Sequence, residues 1–317
     1  MRRLALLALL VSPLVLADDP PPVEMGALAR GFALPTLGRP DVLPAGGLQQ
    51  RFYVNDTNEY AARDNANESI VIDGEATQLS YDVHYGITDR WEAGLFVPVL
   101  SQGGGILDSI IQGWHRTWGL PNGGREDAPK NRYLYQYTRN NQLLLNVSQG
   151  SVTFGDLRLG TGYLLADHLA ARAMLKLPTG DASHLSGSGA AGGALWLDGG
   201  LPLGGFFHWL TLYGSLGYSY NGKGDILPQL QKTGMPFGAA GLGLRFTPRW
   251  DAKVQVYFHA APYKDSELAA LDHIAAPLTV STSYRIARNT ALSLGFQEKA
   301  NLFASPDFGV FLGLTLD

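Results

Sequence analysis

Asp181, Ser183 and His184 fall within one short stretch, and together they are the residue types of a hydrolytic relay. A relay needs nucleophile, base and orienting acid to converge from defined directions, which neighbours on a glycine-rich loop seldom do. They are read as loop residues. The seven histidines are His84, His115, His168, His184, His208, His259 and His273. No pair has the helical i, i+4 or alternate-strand spacing of a metal site. Cysteine is absent, which excludes a thiolate zinc site and a disulfide scaffold. Gly187-Ser188-Gly189 lacks the lysine and following helix of a phosphate loop. No catalytic residue, metal ligand or cofactor is assigned from these motifs. A second set is more regular: Asp82, Glu92, Asp156, Arg158, Arg172, Lys176, Arg245, Lys253 and Arg285. Its meaning depends on the elements that carry it.

Those elements alternate with a period of two. Thr77, Leu79, Tyr81, Val83, Tyr85 and Ile87 take one face, and Gln78, Ser80, Asp82 and His84 the other. Leu157, Leu159, Tyr163 and Leu165 oppose Asp156, Arg158, Gly160 and Gly162, and Val254, Val256 and Phe258 oppose Lys253, Gln255, Tyr257 and His259. Each run reads as a strand with one apolar and one polar face. Parity tests the connections. The apolar face passes from Ile87 to Trp91, from Leu165 to Leu169 and from Phe246 to Trp250, with the same spacing near Ile286 and Leu292. Three-residue hairpin loops preserve the face.

The other connections are long and polar, near 55–68, 101–150, 179–190, 221–234, 261–276 and 299–306. Short and long connections alternate. About twelve strands with an apolar outer face and a polar inner face define an antiparallel transmembrane β-barrel of the all-β class. An added hairpin at Tyr133–Tyr137 and Leu143–Val147 would raise the count to about fourteen if it crossed the membrane. Trp91 and Trp250, just after short turns, suit an interfacial girdle. A soluble sandwich or lipocalin-like barrel is the competing architecture, but so many strands supply more apolar face than a small core needs.

Composition agrees. Charged residues are 16% and glycines number 39. No internal stretch approaches the roughly 20 apolar residues of a spanning helix, and a net charge of −4 gives no reason to expect nucleic acid. Met1-Arg2-Arg3, the apolar run Leu4–Val11 and Val15-Leu16-Ala17 read as a signal peptide at 1–17. Residues 18–46, rich in proline and glycine, read as an extended lead-in, and 47–317 as the barrel. The expected location is the outer membrane of a Gram-negative cell, reached by export. The closing strand alternates well through Phe308, Val310, Leu312, Leu314 and Leu316, yet ends on Asp317 rather than an aromatic residue.

Gly31-Phe32-Ala33-Leu34-Pro35, the segment from Gly103-Gly104-Gly105 through Trp114-His115 to Gly119-Leu120-Pro121-Asn122-Gly123-Gly124-Arg125, Gly155-Asp156-Leu157, Lys176-Leu177-Pro178-Thr179-Gly180-Asp181 and Ser186-Gly187-Ser188-Gly189 resemble one family. It is the set of outer-membrane proteins grouped as domain of unknown function 3187. The resemblance spans nearly the whole mature chain and implies place and fold, not activity or site residues.

By parity the nine charged residues line the lumen, six basic (Arg158, Arg172, Lys176, Arg245, Lys253, Arg285) against three acidic (Asp82, Glu92, Asp156). They form either a network of paired charges filling a narrow barrel or a cationic path for anionic or polar solutes. Leu107, Ile110, Ile111, Trp114 and Trp118 recur at helical steps between Gly103-Gly104-Gly105 and Pro121. This amphipathic helix in a long extracellular loop is expected to fold into the barrel mouth as a gate, the alternative being an interfacial helix. The function expected is a channel or binding barrel for small hydrophobic, amphipathic or anionic molecules. A lipid-acting enzyme and a structural or adhesive barrel are the alternatives. Expected partners are outer-membrane lipid, the barrel-assembly machinery during insertion, and a small-molecule solute.

Overall fold

The computed structural model describes residues 23–119, 124–299 and 305–317. The signal-peptide reading at 1–17 lies outside them. Twelve strands close a barrel: β1 (Leu48–Asp64), β2 (Glu68–Thr88), β3 (Trp91–Gly103), β7 (Arg158–Ala166), β8 (Leu169–Lys176), β9 (Gly192–Pro202), β10 (Leu210–Asn221), β11 (Gly234–Thr247), β12 (Trp250–His259), β13 (Pro277–Ala287), β14 (Thr290–Lys299) and β15 (Phe308–Leu316). Every neighbouring pair is antiparallel, and β1 pairs with both β2 and β15, which seals the wall. The added hairpin exists as β4 (Leu134–Arg139) and β5 (Gln142–Val147), but it does not make the barrel fourteen-stranded. Its β4 pairs with Glu68–Asp73 of β2 and raises the wall on the long-loop side. A short β6 (Ser151–Phe154) pairs with β3 above β7.

Four short turns share one geometry. Thr88 pairs with Trp91, Ala166 with Leu169, Thr247 with Trp250 and Ala287 with Thr290, each beside a one-residue register shift. The bulge absorbs the extra residue. Ile87, Leu165, Phe246 and Ile286 therefore stay on the exposed outer face with the residues that follow the turns. Trp91 and Trp250 hydrogen-bond through Nε1 to Thr161 and Thr282 on the next strand, at 2.7 and 2.8 Å. This anchors the indoles as an aromatic belt on the short-turn side.

The hairpin β1–β2 is longer than its polarity suggests. Residues 55–68 read as a loop, yet pairing continues to Asp64 and Ser69. Above the apolar band the wall stands in water, so the outward residues turn polar while the ladder continues.

Residues 23–46 run inside the barrel, where the lead-in packs as a plug. The segment holds the short helix α1 (Ala27–Arg30). Met25, Leu28, Phe32, Leu34 and Leu37 are buried in one cluster with Trp196, Phe237, Tyr257, Tyr263 and Leu271. Full burial of each large apolar side chain contributes about 1.5–3 kcal/mol at most. The inner face is accordingly not polar throughout: β9, β11 and β12 present Trp196, Phe237 and Tyr257 to the plug.

Candidate functional site

The lumen is the site, and the N-terminal segment organises it. Six of its backbone N–H groups are held by side chains of the wall and its turns. Glu24 N donates to Gln297 at 3.0 Å, Ala27 N to Glu59 at 2.8 Å, and Ala33 N to Asn221 at 2.7 Å. Gly38 N lies 3.0 Å from Asp198 and 3.1 Å from Ser215. Leu43 N donates to Glu92 at 2.9 Å, and Ala45 N to Asp89 in a short turn at 3.1 Å. An extended segment without a ladder must find such partners, because buried backbone groups left unpaired are costly. The wall residues that supply them are polar on the inner face for this reason.

The nine charged positions face the interior. Glu92 meets Arg172 at 2.6 Å and Arg39 at 3.5 Å, and Arg172 also meets Asp198 at 3.0 Å. The Arg172 guanidinium further donates to the carbonyls of Arg39 and Asp41, so it ties the plug to the wall. Asp82 pairs with Arg51 and lies 3.1 Å from His84. Lys176 meets Asp156 at 2.5 Å, Ser188 at 2.9 Å and the Ala190 carbonyl at 2.7 Å. Arg285 lies 3.6 Å from Asp317 near the short-turn rim. Lys253 is buried, and Arg245 half-buried, on the inner faces of β12 and β11. Arg158 stands over the Phe96 ring, 5.1 Å from its centroid, and donates to the Leu34 carbonyl at 3.0 Å.

Several lumen residues were not named from sequence. Arg51 and Asp198 lie within the strands expected from sequence and follow from the same alternation. Glu24, Arg39 and Asp41 carry no periodic signal, because nothing local says that the lead-in turns inward.

The helix α2 (Leu107–Trp118) forms, and Gly119 closes it with a left-handed φ of 67°. Its position differs from a mouth constriction. Glu75 of β2 accepts from Ile106 N at 2.9 Å and Leu107 N at 2.8 Å, and Asn58 of β1 donates to Asp108 at 3.1 Å. Asn58 shares its face with exposed Val54, and Glu75 with exposed Leu79, so both point outward. Asp108 also takes Arg125 at 2.5 Å and Asn131 N at 2.7 Å. The helix therefore sits on the outer wall. Leu107 and Ile111 are buried, and Ile110 and Trp114 are exposed. Trp118 ends the helix; its side chain lies outside the described residues.

At the long-loop rim, Asp181 accepts from Ser183 Oγ at 2.6 Å and lies 2.7 Å from His184 Nδ1, which is 3.2 Å from Ser183 Oγ. Both contacts fall on one ring nitrogen, whereas a relay uses the two nitrogens for acid and nucleophile. The hydrogen bonds from Ser183 and then His184 lower the Asp181 carboxyl to about 2. Asp181 caps a single helical turn there.

A closed antiparallel barrel with an exposed apolar band, a belt of tryptophans and a filled polar interior is an outer-membrane β-barrel. The chain belongs to the family described as protein of unknown function (DUF3187), whose model matches residues 8–317. No curated protein matches it. Among solved structures it is similar to the COG4313 outer membrane channel from Pseudomonas putida F1, with 12% identity and a TM-score of 0.58, covering 88% of this chain and 98% of that one. The translocator domain of the autotransporter NalP from Neisseria meningitidis gives 10% identity and a TM-score of 0.46, covering 86% and 88%. The CymD monoaromatic hydrocarbon channel gives 11% and 0.43, covering 87% and 89%.

Proposed function

We propose that the protein is an outer-membrane channel for small anionic or amphipathic molecules, held shut at rest by its own N-terminal segment. The observation that carries this reading is the plug. Residues 23–46 fill a sealed barrel, yet they are bound by discrete hydrogen bonds and ion pairs rather than by a continuous ladder. A segment held this way can shift locally while the wall stays intact. The gating role moves accordingly from α2 to the plug, and α2 becomes an interfacial element. Basic residues outnumber acidic ones among the nine wall positions, which favours anions. The similar channel from Pseudomonas putida supports the fold of this reading, and export through residues 1–17 and insertion by the barrel-assembly machinery complete it.

The chain has no cysteine, so a single engineered disulfide can test the plug. A Cβ built on Gly192 of β9 lies 3.1 Å from the Ala33 Cβ, so a disulfide there needs a small outward shift, and the Asn221 amide, 2.8 Å from that Cβ, must swing aside. In the Ala33→Cys/Gly192→Cys protein, planar-bilayer conductance should vanish when oxidised and return on reduction. Equal conductance in both states would refute plug gating.

A further inference from the structure

We propose that Arg158 forms a binding subsite for a small organic carboxylate, in a cavity between the plug and strands β1, β2, β3, β7, β8 and β9, where the one lining carboxylate, Asp82, is taken by Arg51. The inference deepens the channel reading by naming the solute class. It rests on the contrast among four guanidiniums around one cavity of about 70 Å³. Arg51 is matched by Asp82, Arg172 by Glu92 and Asp198, and Arg39 by Glu92. Arg158 makes no ion pair with any carboxylate of the described residues. It has one carbonyl acceptor, Leu34, and its Nε is buried without a hydrogen-bond partner. Glu24, Asp156 and Asp82 contribute only at longer range. A half-buried guanidinium without a matched anion is costly, and its planar fork of donors fits the two oxygens of a carboxylate.

The rest of the cavity fixes the shape of the ligand. Phe96, Met174, Trp196 and Pro35 give it an apolar wall. Gly160 makes the room: a Cβ there would meet nothing nearer than the Ala173 carbonyl at 3.9 Å. A carboxylate with a short apolar body would place its oxygens on Arg158 and its carbons against Phe96 and Met174. The volume suits acids of a few heavy atoms. Weak, reversible binding is what a conducting path requires, since the solute must also leave.

The test uses purified full-length protein in detergent micelles, with propionate as probe and propionamide as its neutral counterpart. Saturation-transfer NMR should show saturable propionate binding and little propionamide binding. Arg158→Gln should weaken propionate at least about tenfold, since a charge-assisted pair is lost, whereas Arg158→Lys should retain much of it. Gly160→Val, which fills the cavity and keeps the charge, should also abolish binding. A heat-dependent gel shift reports that each variant is folded. Equal binding of propionamide, or unchanged propionate binding in folded Arg158→Gln and Gly160→Val proteins, would overturn the subsite. Binding at Arg158 in a barrel that conducts in neither redox state of the disulfide protein would uphold the subsite and remove the channel reading.

Discussion

Lys176 and Asp156 show what a lumen charge does when it is matched. Their side chains are 0% and 2% exposed, and Asp156 also accepts from Gly180 N at 2.9 Å. The pair thus ties β8 to the glycine-rich loop that follows it. Removing one member leaves the other charged and buried, which costs about 3–5 kcal/mol. Asp156→Ala should therefore lower the temperature of the heat-dependent gel shift markedly, and Asp156→Ala with Lys176→Met should recover most of the loss. Equal melting of the single variant and the wild type would show that the pair is not structural. Asp181 offers a contrast. It is half-exposed and its contacts cap one local turn, so it positions a loop and leaves the lumen unaffected.

Among the elements, α2 and the N-terminal segment lie on the opposite sides of the wall from those their sequences suggest. The helix has the apolar stripe of a gate, yet its first turn is capped by outward-facing Glu75 and its acid Asp108 is held by Asn58 and Arg125. Only Leu107 and Ile111 of the described stripe find cover, and Ile110 and Trp114 lie open just above the apolar band. Lys130 reaches Ser109 at 3.3 Å and places a cation beside the helix. Such a helix belongs in the headgroup layer of the outer leaflet. Brominated lipid should quench Trp114 fluorescence in a protein whose other tryptophans are replaced by phenylalanine, and Ile110→Lys should reduce the quenching while conductance stays the same. A Trp114 signal indifferent to brominated lipid would place the helix in water. The plug, by contrast, has a composition that suggests a linker, but its apolar residues are spaced to meet the upper aromatic layer of the barrel.

The whole molecule has a direction. The shared bulged turns and the tryptophan belt lie at one end, and α2, the hairpin β4–β5 and the loops after β8, β10 and β12 lie at the other. Short turns facing the periplasm put the plug entrance on that side too, because Gly46 bonds to Gly86 beside the first turn. A cysteine at exposed Lys223 should be labelled by an impermeant maleimide on intact cells, and one at exposed Pro248 only after lysis. The opposite pattern would invert the topology and put the plug entrance outside.

Alternation within each strand is a local property, so sequence alone determined an antiparallel transmembrane barrel of about twelve strands with short turns at one end, and left twelve against fourteen open; the closed structure settled the count and put the bulges beside the turns. A one-residue slip would carry every apolar side chain into the lumen, which is why parity is so legible. It also placed a helix between Gly103-Gly104-Gly105 and Pro121, which the structure forms over Leu107–Trp118. Tertiary structure decided everything that depends on which surfaces meet. The strands β1 and β2 outrun their apolar band because the ladder, not side-chain hydropathy, sustains a wall in water. The stripe of α2 could face the mouth or the bilayer, and the partner of Asp108 chose. The lead-in could hang free or turn inward, and only the closed barrel offers Glu59, Asn221, Asp198 and Glu92 as acceptors for its backbone. Arg158 is distinguished from Arg172 by the absence of a carboxylate contributed from another strand, a contrast between distant segments that no local pattern encodes.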